Sequence, residues 1–137
     1  MTNPAVVEKL VLKDILAECR EDFVEVWSVL WLVRYQLCDG AYPLHVYERT
    51  DPAEVRQVAL AVIKGALECG VRAVFYADGV GQASPVWNRP TEEVLARLEA
   101  EWNKLGREPS IGELAGFTSY PGIVDGISVS GTSVTQL

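Results

Sequence analysis

The stretch Asp51 to Phe75, DPAEVRQVALAVIKGALECGVRAVF, decides the fold. Asp51 offers an acceptor to the free amides of a helix start. Pro52 has no amide hydrogen to lose at the first helical position, and Glu54 places at the third a carboxylate that reaches back. Val55, Val58, Ala59, Val62, Ala66 and Leu67 then recur at three- and four-residue spacing, which predicts one apolar helix face. Gly70 stands after Cys69 where a left-handed stop belongs, and Val71 to Ala77 turns at once to the β-branched and aromatic composition of a strand. Gly79 and Gly81 supply a turn, and Ala83 to Trp87 is read as the return strand of a hairpin.

Upstream, Val7, Leu10, Val11, Ile15 and Leu16 mark a first helix over Val6 to Glu21. Phe23, Val26, Trp27, Leu30, Val33 and Leu37 mark a second, with Val24, Val29, Trp31 and Leu32 adding apolar groups on its other faces. The second helix is expected to be the most buried element. Gly40 and Pro43 break the period, and Leu44 to Tyr47 reads as a short strand. Downstream, Thr91 is the expected cap of a helix whose first turn carries Glu92 and Glu93 at the positive end of its dipole. Val94, Leu95, Leu98, Trp102 and Leu105 form its apolar face, and Glu93, Arg97 and Glu101 are spaced for ion pairs on the solvent side. Gly106 stops it, and Ser110 with Glu113 forms a capping box for one more turn. The expected architecture is α+β, a helical domain with a small β-hairpin over residues 1–120. Residues 121–137 follow as a Gly/Ser/Thr-rich tail or an added strand.

At 137 residues, 49% hydrophobic and 23% charged, the chain has the size and composition of one ordinary domain. Its net charge is −7, and its 12 basic residues are scattered singly from Lys9 to Arg107. Such spacing provides no basic stripe for a phosphate backbone, so nucleic acid is not the expected partner. Acidity of this degree serves solubility, or the recognition of a basic partner. Cys19, Cys38 and Cys69 are far apart in or beside apolar helical patterns and are read as reduced, buried thiols. Met1 to Ala5 has no basic region leading into an apolar stretch. Phe23 to Val33 is too short and too charged to span a bilayer, so the expected location is cytoplasmic.

The order of helix, short strand, glycine-terminated helix and hairpin over residues 22–88, with Ala66-Leu67-Glu68-Cys69-Gly70-Val71 at the joint, resembles a winged-helix unit. With Trp87, the segment Glu101-Trp102-Asn103-Lys104-Leu105-Gly106-Arg107, and Pro109, Ile111, Gly112 and Glu113, the chain resembles small bacterial proteins built on such a core. A winged-helix regulator presents a basic helix to the DNA groove. Here Asp51 to Cys69 offers Arg56 and Lys64 against Asp51, Glu54 and Glu68, a net negative helix that favours protein contact over DNA. In charge and size the chain is also similar to immunity or antitoxin proteins that neutralise basic toxins.

Tests for chemistry point the same way. His45 is the only histidine, and neither Cys38 nor Ser28 has an evident third group to complete a nucleophilic pair. The cysteines and His45 lack the short paired spacing of a zinc site. Gly79-Val80-Gly81 lacks the lysine of a phosphate loop. Glu21, Asp22 and Glu25 are read as a solvated helix face, and Trp27, Trp31 and Trp102 as core. No catalytic, cofactor or metal residue is expected.

The leading expectation is a non-enzymatic protein-interaction module. Tyr42, Tyr47 and Trp87 are its candidate anchors, flanked by Glu48 and Asp78. The alternative is a DNA-binding regulator using Arg49, Arg56, Lys64 and Arg72, and a third class, a small-molecule enzyme, needs a pocket joining His45 to carboxylates. The apolar second helix also allows a homodimer. Thr135-Gln136-Leu137 has the form of a C-terminal peptide captured by strand addition.

Overall fold

A computed structural model describes residues 2–40, 46–78 and 89–119, with the side chains of Val46 and Tyr47 left out. Helix α1 spans Pro4–Cys19, strand β1 Val24–Glu25, α2 Val26–Leu37, the one-turn α3 Val46–Arg49, and α4 Pro52–Glu68. Strand β2 covers Arg72–Phe75 and leads into a 3-10 turn at Tyr76–Asp78; α5 is Thr91–Leu105 and β3 Ala115–Thr118. The fold is α+β. None of the described helices is long and apolar enough to cross a membrane.

Helices α1 and α4 begin where a side chain satisfies one of their free amides. The Asn3 carboxamide oxygen accepts from Ala5 N at 2.8 Å, with Pro4 at the first position. The Asp51 carboxylate accepts from Ala53 N at 3.1 Å, with Pro52 behind it. Pro90, and not Thr91, occupies the cap of α5, so Thr91 is already inside the helix. Gly70 ends the α4 turn with φ +95°, a conformation that an L side chain adopts only under strain, and Gly106 does the same for α5 at +73°.

Helices α1, α2 and α4 pack against one another. Val7, Val11, Ile15, Val29, Leu30, Val33, Val55, Val62 and Ile63 meet between them at 2% exposure or less. Antiparallel β3 is the middle strand, with β1 on one side and β2 on the other: Phe117 stands opposite both Val24 and Ala73, and Gly116 opposite Glu25 and Val74. The sheet is fastened to the end of α1 through the Cys19 carbonyl, which accepts from Ser119 N at 2.8 Å, Ser119 Oγ at 3.0 Å and Thr118 Oγ1 at 3.2 Å. These bonds occupy a carbonyl that the helix end leaves open. Helix α5 lays Val94, Leu98 and Trp102 against this body.

Several expectations are corrected. The second helix starts at Val26, because Val24 and Glu25 pair with β3 as a strand. Val46 and Tyr47, expected to end a strand, belong to α3. The described partner of β2 is β3, a pairing distant in sequence; the turn at Gly79 and Gly81 and the return strand Ala83–Trp87 lie outside the described residues. Ser110 and Glu113 do form their box, with the carboxylate accepting from Ser110 N at 2.7 Å and Oγ at 2.8 Å, but it closes a turn and not a helix. Cys69 is exposed, unlike Cys19 and Cys38.

Candidate functional site

The first helix and α2 form an antiparallel hairpin, as Thr2 N donates to Leu37 O at 3.2 Å and Thr2 Oγ1 to Asp39 at 2.7 Å. Between the C-terminal half of α1 and the N-terminal half of α2 runs a groove of about 920 Å³. One side carries Asp14 and Glu18 of α1, with Arg20 and Glu21 just past its end, all exposed; the other carries Trp27 and Trp31 of α2, with Phe23 ahead of β1, all half-buried. Trp27 and Trp31 thus face outward, correcting their assignment to the core. Only Trp102 of the three helical tryptophans is fully packed, at 4% exposure.

The periodicity of α2 explains this. Val26, Val29, Leu30, Val33 and Leu37 turn inward, and the one charged residue of the helix, Arg34, is itself buried at 2% exposure. Arg34 donates from both terminal nitrogens to Glu108, at 2.8 and 2.5 Å, and from Nε to Thr50 at 3.2 Å. The outer face is therefore left with Trp27, Ser28, Trp31, Leu32, Tyr35 and Gln36, and no charge. Along it Trp31 stacks on Tyr35, with ring centroids 5.3 Å apart and planes 14° from parallel.

Glu25 sets the position of Trp27. Its Oε2 accepts from the indole Nε1 at 2.9 Å, while its Oε1 accepts from Tyr76 Oη at 3.1 Å and from Gly112 N at 2.7 Å. Burial, and then the nearby carboxylate, push the Tyr76 phenol well above its ordinary range, so it remains a donor to Glu25. Because the Trp27 N–H is already engaged, the ring presents its face and edge to the groove. Glu25 was expected on a solvated helix face; it joins β1, α2, the 3-10 turn and the loop before β3 instead.

The residues singled out from sequence are described only in part. Tyr42, Trp87 and His45 lie outside the described residues, and Tyr47 is described only by its backbone in α3. Glu48 is exposed. Asp78 receives both terminal nitrogens of Arg97, at 2.9 and 2.6 Å, and Arg97 Nε reaches Glu101 at 2.6 Å while its guanidinium covers the Phe75 ring at 4.2 Å. Those contacts hold α5 to the end of β2 and make Asp78 a structural acid. Glu93 stands within 3.9 Å of Arg89 and not beside Arg97.

Of the alternative basic set, Arg56 donates to Asn103 at 2.7 Å and lies over Trp102 at 4.6 Å, holding α4 to α5. Arg49, Lys64 and Arg72 are exposed. Among the described residues no group of three or more His, Cys, Asp and Glu side chains converges to hold a metal ion. The Cys19 thiol, donating to Phe117 O at 3.5 Å, is pushed up to about 12 by burial and then by Glu18, which leaves it without thiolate character at neutral pH.

The groove was not legible as a site because its parts are ordinary one by one. The available signal was the spacing Trp27, Trp31, Tyr35 on a helix with a single charge, facing the Asp14, Glu18, Glu21 edge of its neighbour. No family model, curated protein or solved structure matches this chain.

Proposed function

We propose that the protein is a non-enzymatic interaction module that holds a basic protein partner in the groove between α1 and α2. One observation carries this reading: an uncharged aromatic wall on α2 stands beside a carboxylate edge on α1. Aromatic groups already fixed by Glu25 and by stacking lose little freedom on binding, so they are suited to supply most of the affinity. The carboxylates, with the net charge of −7 behind them, speed encounter with a basic surface and select against acidic ones. An immunity- or antitoxin-like protein, or a regulatory adaptor, has use for such a surface.

The test is quantitative capture from a bacterial lysate by the wild-type chain, by Trp27→Ala/Trp31→Ala, and by Asp14→Asn/Glu18→Gln/Glu21→Gln. A basic protein retained by the wild type and lost with both groove variants is the expected result. A parallel Tyr42→Ala/Tyr47→Ala/Trp87→Ala variant distinguishes the groove from the aromatic set singled out from sequence. Capture undiminished by the groove substitutions overturns the assignment, and retention on duplex DNA lost with Arg49, Arg56, Lys64 and Arg72 moves the reading to a DNA-binding regulator.

A further inference from the structure

Beyond the groove itself, α1 exposes two large apolar side chains, Val6 at 48% and Leu10 at 42%. At 100° per residue, Val6, Leu10, Asp14 and Ala17 fall within a sector of about 80° on α1. That sector flanks α2, since Asp14 and Ala17 line the groove. The opposite flank of α1 meets α4, where Leu12 lies against Gly65. The acidic edge therefore continues towards the helix N-terminus as an apolar one, over about 17 Å from Ala17 to Val6 at 1.5 Å per residue. Across from it runs the aromatic line Trp27, Trp31 and Tyr35, one residue per helical turn. The groove itself is lined by the acids, Trp27 and Trp31; beyond it, exposed Val6 and Leu10 on α1 and Tyr35 on α2 carry its two edges on as a trough along the helices.

We infer that the occupant of this trough is an amphipathic basic helix of about three turns or more, contributed by the partner and laid along α1 and α2 as a third helix. The inference rests on the reading of the groove as a protein-binding site and names the form of the partner. A helix is the element whose side-chain rows run alongside two others over such a length, with anchors at spacings of three, four and seven. Its leucine-like residues cover Val6, Leu10 and Trp31, and its lysine or arginine residues meet Asp14, Glu18 and Glu21, with their stems across Trp27. A second copy of this chain is the less suitable occupant, because the chain carries −7 and the trough is acidic. A fully extended basic peptide satisfies the carboxylates but leaves no reason for the straight apolar continuation at Val6 and Leu10.

Three tryptophan-free peptides of about 15 residues test this by calorimetric titration into the full chain. They are a leucine–lysine sequence patterned as an amphipathic helix, the same composition scrambled to destroy that pattern, and a leucine–glutamate sequence with the helical pattern. The helical leucine–lysine peptide is expected to bind and to gain helical circular dichroism, with the scramble at least about tenfold weaker and the glutamate peptide weaker still. Asp14→Asn/Glu18→Gln/Glu21→Gln weakens the helical peptide about tenfold or more, and Val6→Ser/Leu10→Ser weakens it while leaving the scramble unchanged. Equal affinity of the scramble, lost with the carboxylate variant, overturns the helix while preserving a basic partner. No binding of any peptide by a chain that still captures a basic protein through the groove overturns the inference alone. Self-association in light scattering that Trp27→Ala/Trp31→Ala abolishes gives the trough to a second copy and overturns both readings.

Discussion

Replacing Gly116 with alanine probes the junction that positions Trp27, and its cost follows from distances. A Cβ on Gly116 would stand 2.8 Å from Tyr76 Oη and 3.1 Å from Phe23 Cδ1. The phenol cannot simply swing aside, because it donates to Glu25 at 3.1 Å and the half-buried ring is rigid. Overpacking of this kind costs about 1–3 kcal/mol, and weakening a hydrogen bond to a carboxylate adds about 1.5 kcal/mol. The lower chain entropy of unfolded alanine offsets about 0.5–1 kcal/mol, which leaves a net destabilisation of about 2 kcal/mol.

Tyr76→Phe removes the obstructing oxygen and leaves the ring carbon at 3.5 Å, an ordinary contact, so only Phe23 remains close. In that background Gly116→Ala is expected to cost no more than about 1 kcal/mol, a coupling of about 1 kcal/mol between the two sites. Urea denaturation followed by far-ultraviolet circular dichroism reads the first effect as a midpoint lowered by about 1 M, for a slope near 2 kcal/mol/M. An equal cost in both backgrounds, or no cost in the wild type, would refute the placement of Tyr76 over Gly116.

Two further outcomes are expected. Glu108→Ala strips the buried Arg34 of its bidentate carboxylate and should cost about 3 kcal/mol, at the low end for a broken buried pair because Glu108 is 35% exposed. Arg34→Met should cost less, since it removes the buried charge and lets Glu108 rehydrate; the reverse order in urea midpoints would show that packing of the arginine stem dominates. On raising pH, the unfolded Cys19 thiol ionises from its ordinary 9.0 while the folded one holds its proton to about 12, so its share of stability is complete below pH 9 and declines between the two. Cys19→Ala should lack that part of the alkaline slope, and identical slopes in wild type and variant would remove the assignment.

The existence and facing of α4 and α5 were legible because they rest on local chemistry. The Asp51-Pro52 start, the inward valines of α4, the Gly70 and Gly106 stops and the apolar line of α5 all act within a few residues of themselves. Strand pairing was not, since β2 and β3 meet across the whole of α5, and no spacing within Arg72–Phe75 names Ala115–Thr118 as partner. Glu25 shows the same limit. Its neighbours in sequence suggest a helix face, but Tyr76 and Gly112, which give it its role, reach it only through the folded chain.

By itself, then, the sequence determined an acidic α+β chain whose second helix has more apolar surface than one flank can hide, since composition and periodicity are properties of each segment alone. Tertiary structure decided which of that surface is covered. The core takes the valines and leucines of α2, Glu108 neutralises the buried Arg34, and the flank bearing Trp27, Trp31 and Tyr35 is left beside the carboxylates of α1. A site of this kind is a relation between two packed helices, and its physical basis lies in how they are set side by side.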